Sequence, residues 1–352
     1  MSVFTSHVPA RRFGLIDLLV IAFVFTLLYS MLHLGAGMAV PFSPEDRLEV
    51  STDPADLPYY AGRSLLRMFI AYGASLLFTL VYGSIAAKSR PAEMVLVPLL
   101  DILQSVPVLG FLSVTIAMFM GIFPNSLLGV ECASIFAIFT GQCWNMTFSF
   151  YHSLVTVPKD LKEAAAILRL NWWQRFVRLE VPFSMIGLVW NSMMSFGGGW
   201  FFLAASEAIT VLNESIRLPG VGSFMAAAVE AGDMRALGWA ILTMITMIIV
   251  VDQLFWRPIV VWSQKFKMER TEAVEVPTSF VYDILQRALL VEKMRTYLFQ
   301  PVGRAIYSIL DTLARFTDQK AVQVQNKTLR YLFAAAKAVF TGVFLLRWPA
   351  GL

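Results

Sequence analysis

A chain of 352 residues in which 57% are hydrophobic and only 15% charged, with a mean hydropathy of +0.66, lacks the polar surface that a water-soluble domain needs. That composition excludes an ordinary soluble enzyme and points to an all-α, polytopic membrane protein. The formal net charge of +4 gives no reason to invoke nucleic acid, so where the charges sit matters more than their sum.

Arg11 and Arg12 precede an apolar run from Leu15 to Leu34. Its length matches the ~20 residues of a bilayer crossing and exceeds the core of a cleavable leader. No small-x-small cleavage site clearly follows, so the run reads as a retained first span. Five further segments meet the same length: 68–87, 94–119, 130–152, 183–205 and 236–256. In lipid each must be helical, because no water is present to satisfy free backbone groups. Pro98, Asp101, Gln104 and Pro107 interrupt the third span, and Asn191, Ser195 and Gly197 to Gly199 mark the fifth.

With the N-terminus inside, the inner connections collect Arg11, Arg12, Lys88, Arg90, the Lys and Arg residues of 159–178 and those of 257–270. The outer connections hold only Arg47, Arg63, Arg67, Arg217 and Arg235. This bias places both ends of the six-span core in the cytoplasm. Four regions follow. Residues 1–61 hold the first span and an external acidic loop with Glu45, Asp46, Glu49, Asp53 and Asp56. Residues 62–264 form the transmembrane core. Residues 265–330 form a cytoplasmic amphipathic linker, in which Ile306, Ile309, Leu310, Leu313 and Phe316 share a helical face and Pro301 opens the helix. Residues 331–352 are an apolar tail or part of a further span.

Cys132 and Cys143 share one apolar run; in a helix they stand roughly 16 Å apart, too far for a disulfide. His7, His33 and His152 have no ligand partners at metal spacing, and no G-x-x-x-x-G-K-[ST] run is present. The expectation is a chain with no catalytic residues, no metal and no bound cofactor.

The connection between the fourth and fifth spans, VTVPKDLKEAAAILRLNWWQRFVRLEVP (155–182), carries the strongest signal. Pro158 can open a helix, and Leu161, Ala164, Ala165 and Leu168 fall on one side of it. A second short helix is expected at about Trp172–Leu179, exposing Trp172, Trp173 and Phe176 beside Arg175 and Arg178. Such aromatics suit a membrane interface or a pocket on another protein.

This loop resembles the cytoplasmic motif of binding-protein-dependent ABC importer permeases. That motif runs E-A-A, three residues, G, then a later F, an aliphatic residue and an L-P pair. Glu163, Ala164 and Ala165 match its opening, while Phe176, Leu179, Val181 and Pro182 fall at its spacings. The motif's glycine is Arg169 here, which puts the turn between the two short helices in question; Asn171 is a candidate to supply it. The resemblance covers roughly 62–265. Leu218–Pro219–Gly220–Val221–Gly222 is similar to a Gly-containing segment of these permeases. The double-glycine region with Trp200, Phe201 and Phe202, together with Ala205–Ser206–Glu207, looks most like the nitrate/sulfonate/taurine branch. Some members of that branch carry two permease units in one chain, and this chain is similar to the first half of such a pair.

The resemblance implies an inner-membrane permease subunit passing a small solute, such as nitrate, a sulfonate or bicarbonate. It implies cytoplasmic ATP-binding subunits that hold the ATP and Mg, a second permease unit (identical, different or fused) and an external solute-binding protein, with lipid around the spans. The coupling residues carried over are Glu163, Ala164, Ala165, Leu168, Arg169, Leu170, Trp172, Trp173, Phe176, Leu179 and Pro182. Candidates for the translocation path are Asp101, Gln104, Asn191, Ser195 and Gly198. Asp101 either lines the path or lies wet near the surface, and the glycines either line it or let helices pack. Glu207 ends its span and reads as solvated; Trp239 and Trp256 read as interfacial anchors. The alternative is a secondary transporter or channel subunit without ATP coupling. A secondary transporter normally shows more spans with inverted repeats, and a channel subunit leaves the Glu163–Pro182 pattern unexplained.

Overall fold

The computed structural model describes residues 15–38, 40–41, 50–211, 214–267, 278–287 and 300–321. His7, Arg11, Arg12, the acidic residues at 45, 46 and 49 and the apolar tail 331–352 lie outside the described residues. All six predicted spans are helical, and among the described residues the fold is all-α apart from one short hairpin. Two helical runs, Pro54–Lys88 and Met234–Phe266, are long and apolar enough to cross a membrane by composition alone, and a bent pair makes a third.

Helix α1 (Leu15–Ala36) exposes Phe25, Tyr29 and Leu32, as a lipid-facing helix must. Helix α2 (Leu57–Lys88) follows a 3-10 turn that the Asp53 side chain caps by accepting from Ala55 N–H at 2.9 Å. It starts well before the expected position 68. The two arginines read as loop charges, Arg63 and Arg67, lie inside it.

The third predicted span is not one helix. Helix α3 (Arg90–Ser105) and helix α4 (Val108–Ile122) meet at a bend of 105°. The reason is Pro107, which lacks an N–H and disfavours helical backbone in the residue before it; Val106 is extended, with φ −76° and ψ 124°. Pro98, by contrast, is absorbed within α3.

Helix α5 (Leu128–Val155) packs most extensively on α2 and on α8 (Val181–Glu207). Between them lie α6 (Lys159–Ile167) and α7 (Trp172–Arg175). A π turn, Phe176–Glu180, joins α7 to α8, with Val181 N–H donating to the Phe176 carbonyl. The same device, Asp252–Trp256, joins α10 (Met234–Val251) to α11 (Arg257–Ser263). A proline follows each by two residues, Pro182 and Pro258. A widened turn spares the proline the α-type hydrogen bond it cannot make. Strands β1 (Ala208–Val211) and β2 (Glu214–Arg217) pair antiparallel after α8, with Ala208 opposite Arg217. Helix α9 (Val221–Glu230) precedes α10; α12 (Phe280–Arg287) and α13 (Gln300–Ala321) come last.

Lipid tails are as apolar as leucine, so helices in a membrane associate through close packing and polar contacts. Small residues provide the close approaches here. A Cβ on Gly83 would meet the Phe150 ring at 2.8 Å, and one on Gly199 would meet Met68 Cε at 2.7 Å. Phe69, Tyr72, Phe196, Phe255 and Trp256 form an edge-to-face cluster, with Trp256 5.4 Å from Phe196 and 5.5 Å from Tyr72 between ring centroids. Trp256 is buried there and is not an interfacial anchor, whereas Trp239 is exposed.

Candidate functional site

The loop 158–182 folds as two helical limbs. In α6 the first turns pack inward, with Ala165 buried in a small core beside Val157 and Leu179 and in contact with Leu161, Leu170 and Phe183. The expected single stripe of Leu161, Ala164, Ala165 and Leu168 is split, because the helix outruns its packing surface. Glu163 and Ala164 are exposed, and Ile167 and Leu168 stand 81% and 71% exposed at its end. Two neighbouring aliphatics thus stand bare on a polar loop.

Arg169 makes the turn itself. Its φ is +51°, the left-handed region where glycine is at home. Arg169 N–H donates to Ala166 C=O at 3.0 Å and Leu170 N–H to Ala165 C=O at 3.1 Å, the two bonds of a Schellman cap. Leu170 packs in the same core as Ala165, completing the motif. Arg169 thus sits where the motif's glycine sits because the backbone there needs φ > 0. Replacing Arg169 with Gly is expected to stabilise the chain by about 1 kcal/mol by removing the left-handed penalty. Thermal unfolding of the purified protein reads this; an unchanged or lower midpoint would contradict it.

Asn171 does not make the turn but starts the second limb. Its Oδ1 accepts from Gln174 N–H at 2.8 Å, and Gln174 Oε1 accepts from Asn171 N–H at 3.4 Å, a reciprocal capping box. Trp173 stacks on Phe176 at 5.6 Å, and Phe176 meets Phe150 of α5 edge-on at 6.5 Å. Trp172 is 42% exposed. Leu179 and Glu180 are buried, and Pro182 lies in the first turn of α8. Glu180 forms ion pairs with Lys88 Nζ at 2.8 Å and Arg175 Nε at 3.3 Å, so the second limb is tied to the end of α2.

The five path candidates fall into separate places. Asp101 and Gln104 are both exposed near the α3–α4 bend and joined by a 3.2 Å hydrogen bond from Gln104 Nε2 to Asp101 Oδ1. Gln104 also lines a cavity of about 470 Å³ with Ser105, Pro107, Thr140, Trp144, Asn145 and Phe202. Asn191 instead donates to Ser149 Oγ at 3.0 Å and to Gly187 C=O at 2.9 Å, knitting α8 to α5. Ser195 is buried, with no hydrogen-bond partner among the described residues. Gly198 is exposed, and a side chain there would meet nothing within 4 Å.

The largest feature that the sequence reading missed is a buried charge lattice. Arg67 donates through Nε and Nη2 to the two oxygens of Glu131 (2.5 and 2.7 Å) and through Nη1 to Glu207 Oε1 (2.7 Å). Arg63 also binds Glu131, and reaches the Leu34 carbonyl at 3.4 Å. Ser64 Oγ donates to Glu207 at 2.6 Å and accepts from Val221 N–H at 3.0 Å. Gly222 N–H completes the set on Glu207 at 2.8 Å. All four charged side chains are 0–1% exposed. Two cations face two carboxylates, so the lattice is neutral, as burial demands. Glu207 is therefore not solvated, and the arginines are not loop charges. Glu207 meets the N-terminus of α9, where the helix dipole and free N–H groups favour an anion. Gly220 and Gly222 permit that approach, since a Cβ on either would run into the Glu207 carboxylate or the Ala204 backbone.

Residues 79–255 match the family described as binding-protein-dependent transport system inner membrane component. Over 147 residues the chain is 24% identical to the nitrate import permease protein NrtB of Leptolyngbya laminosa. Over 146 residues it is 22% identical to NrtB of Synechocystis sp. (strain ATCC 27184 / PCC 6803 / Kazusa). Each match covers 42% of this chain and 50% of the relative, so the chain spans about half the length of the curated relatives it matches.

Proposed function

Because this chain belongs to the family of binding-protein-dependent transport system inner membrane components, we propose that it is the permease subunit of an ATP-driven importer for a small anion. The observation that carries this reading is the loop 158–182. It is rigidly held on its inner side and presents Glu163, Ala164, Ile167 and Leu168 bare on its outer side. A cytoplasmic ATP-binding subunit, carrying ATP and Mg, would receive that ridge. Closure of two such subunits would move the loop as a rigid body and with it α8, which continues from the loop without a break. The Lys and Arg bias supports an N-terminus in the cytoplasm, with the loop on the same side.

Nitrate is the named solute of the relatives, and the cavity at the α3–α4 bend suits such an anion. Its polar lining is neutral: Gln104, Ser105, Thr140, Trp144 and Asn145. Neutral donors hold an anion by hydrogen bonds yet let it leave, which passage requires. The exposed face of α8 with Met194, Gly197, Gly198 and Phe201 is where a second permease unit would complete the path. An external solute-binding protein would deliver the solute.

The test is capture of the host's ATPase subunits by this chain in nanodiscs, comparing wild type with Leu168→Asp. Leu168 is exposed, so the change leaves the loop's core alone; Ala165 is buried, and a bulky residue there would test folding instead. Capture should fall about tenfold or more, equivalent to about 1.4 kcal/mol. Equal capture by both would remove the ridge from the mechanism. No capture by wild type would favour a channel or secondary transporter.

A further inference from the structure

Helix α13 lies beyond the stretch matched to the family, yet it packs on the second limb of the loop. The contact has a definite register. Asp311 Oδ1 accepts from Asn171 Nδ2 at 2.7 Å and from Gln174 Nε2 at 2.8 Å. The Arg178 guanidinium lies over the Tyr307 ring, 5.8 Å from its centroid. Tyr307 and Asp311 are four apart, hence on one face of α13, and Asn171, Gln174 and Arg178 all meet that face. As α13 advances from 307 to 311 its partners run back from 178 to 171, so the two helical segments are antiparallel.

The capping box explains why Asp311 fits. It commits the carbonyl oxygens of Asn171 and Gln174 to backbone N–H groups, so both amide nitrogens must point away from the box. Two N–H donors left over at one spot require an acceptor, and Asp311, 7% exposed, provides a carboxylate oxygen. Asn171 and Gln174 thus offer donors that an element outside the matched family region satisfies.

We propose that α13 is a clamp supplied by the chain itself, and that Asp311 is a positioning residue that fixes the second loop limb so motion of the docked ridge reaches α8. The proposal rests on the ATP-coupled reading above. It assigns α13 a part in transmission that neither the loop nor the family match contains.

Two measurements test it in the assembled complex reconstituted into sealed proteoliposomes. In a background lacking Cys132 and Cys143, Gln174→Cys with Asp311→Cys should be joined by a short bifunctional thiol reagent, and the joined protein should still transport nitrate as the probe solute. With native cysteines, Asp311→Ala should lower nitrate transported per ATP hydrolysed about fivefold or more, while Asp311→Glu restores most of it. A helix that only adds stability would lower the amount of complex and leave that ratio alone. An unchanged ratio in Asp311→Ala, failure of the thiols to join, or loss of transport once they are joined would each overturn the clamp. If the wild-type chain captures no ATPase, the importer reading falls with it; a normal complex with an unchanged ratio sinks the clamp alone.

Discussion

Glu131→Gln is expected to cost about 3–5 kcal/mol, the price of stranding buried charge. Glu131 is the shared acceptor of Arg63 and Arg67, and no water reaches any of the three. A glutamine of the same shape keeps the volume but leaves two guanidiniums facing one remaining carboxylate. The measurement is thermal unfolding of the protein in nanodiscs, with Arg67→Met, Glu207→Met and the double change run beside it. The double change removes one charge of each sign and should be less damaging than Arg67→Met alone, because an apolar pair replaces an ion pair at little net cost. If Glu131→Gln unfolds within a degree or two of wild type, the lattice does not hold the fold. Its members come from α2, α5 and α8, with α9 and the end of α1 attached through backbone groups. The ends of these helices must therefore move as one piece.

Gly222→Ala should be the most damaging single methyl addition among the glycines after α8. Its Cβ would fall 2.7 Å from the Ala204 Cα, which is backbone and cannot swing aside. Overpacking of this kind costs about 2–3 kcal/mol and would also pull the Gly222 N–H from Glu207. The contrast is Gly197→Ala. Nothing lies within 4 Å of the added methyl, and in an isolated chain the helix should gain about 0.5–1 kcal/mol. Unfolding midpoints of the two variants should move in opposite directions. Equal shifts would show that the α8–α9 approach yields more readily than backbone contacts allow.

The fold of loop 158–182 was legible because its information is local. The pattern Glu163–Ala164–Ala165 and the later Phe176, Leu179 and Pro182 lie within one short stretch. Even the departure at Arg169 was informative, since the expected glycine marked the left-handed position that the chain does adopt. What periodicity could not give was how far the packing surface under α6 extends, so it grouped exposed Leu168 with buried Ala165. The charge lattice was illegible for the opposite reason. Its partners are separated by 64 to 143 residues, and a rule that counts arginines as solvated took Arg63 and Arg67 for loop. A signal was present all the same. Arg63, Ser64 and Arg67 share a helix face at i, i+1 and i+4, in a run without a strong breaker from Pro58 to Ser89. The α3–α4 bend lay in plain sight at Pro107, and hydropathy alone smoothed over it.

The π turns before Pro182 and Pro258 have a consequence for the phase of the helices they join. Each holds one residue more than an α turn, and one residue is about 100° of rotation. A wheel drawn through 172–207 as a single α-helix would therefore assign the wrong face to α8. The side that enters the core, with Leu188, Ser195, Phe196, Gly199 and Leu203, is set by the length of 176–180 as well as by its own sequence. Deleting one residue from that turn would leave the limb 171–175 in place and rotate the core face of α8 toward lipid.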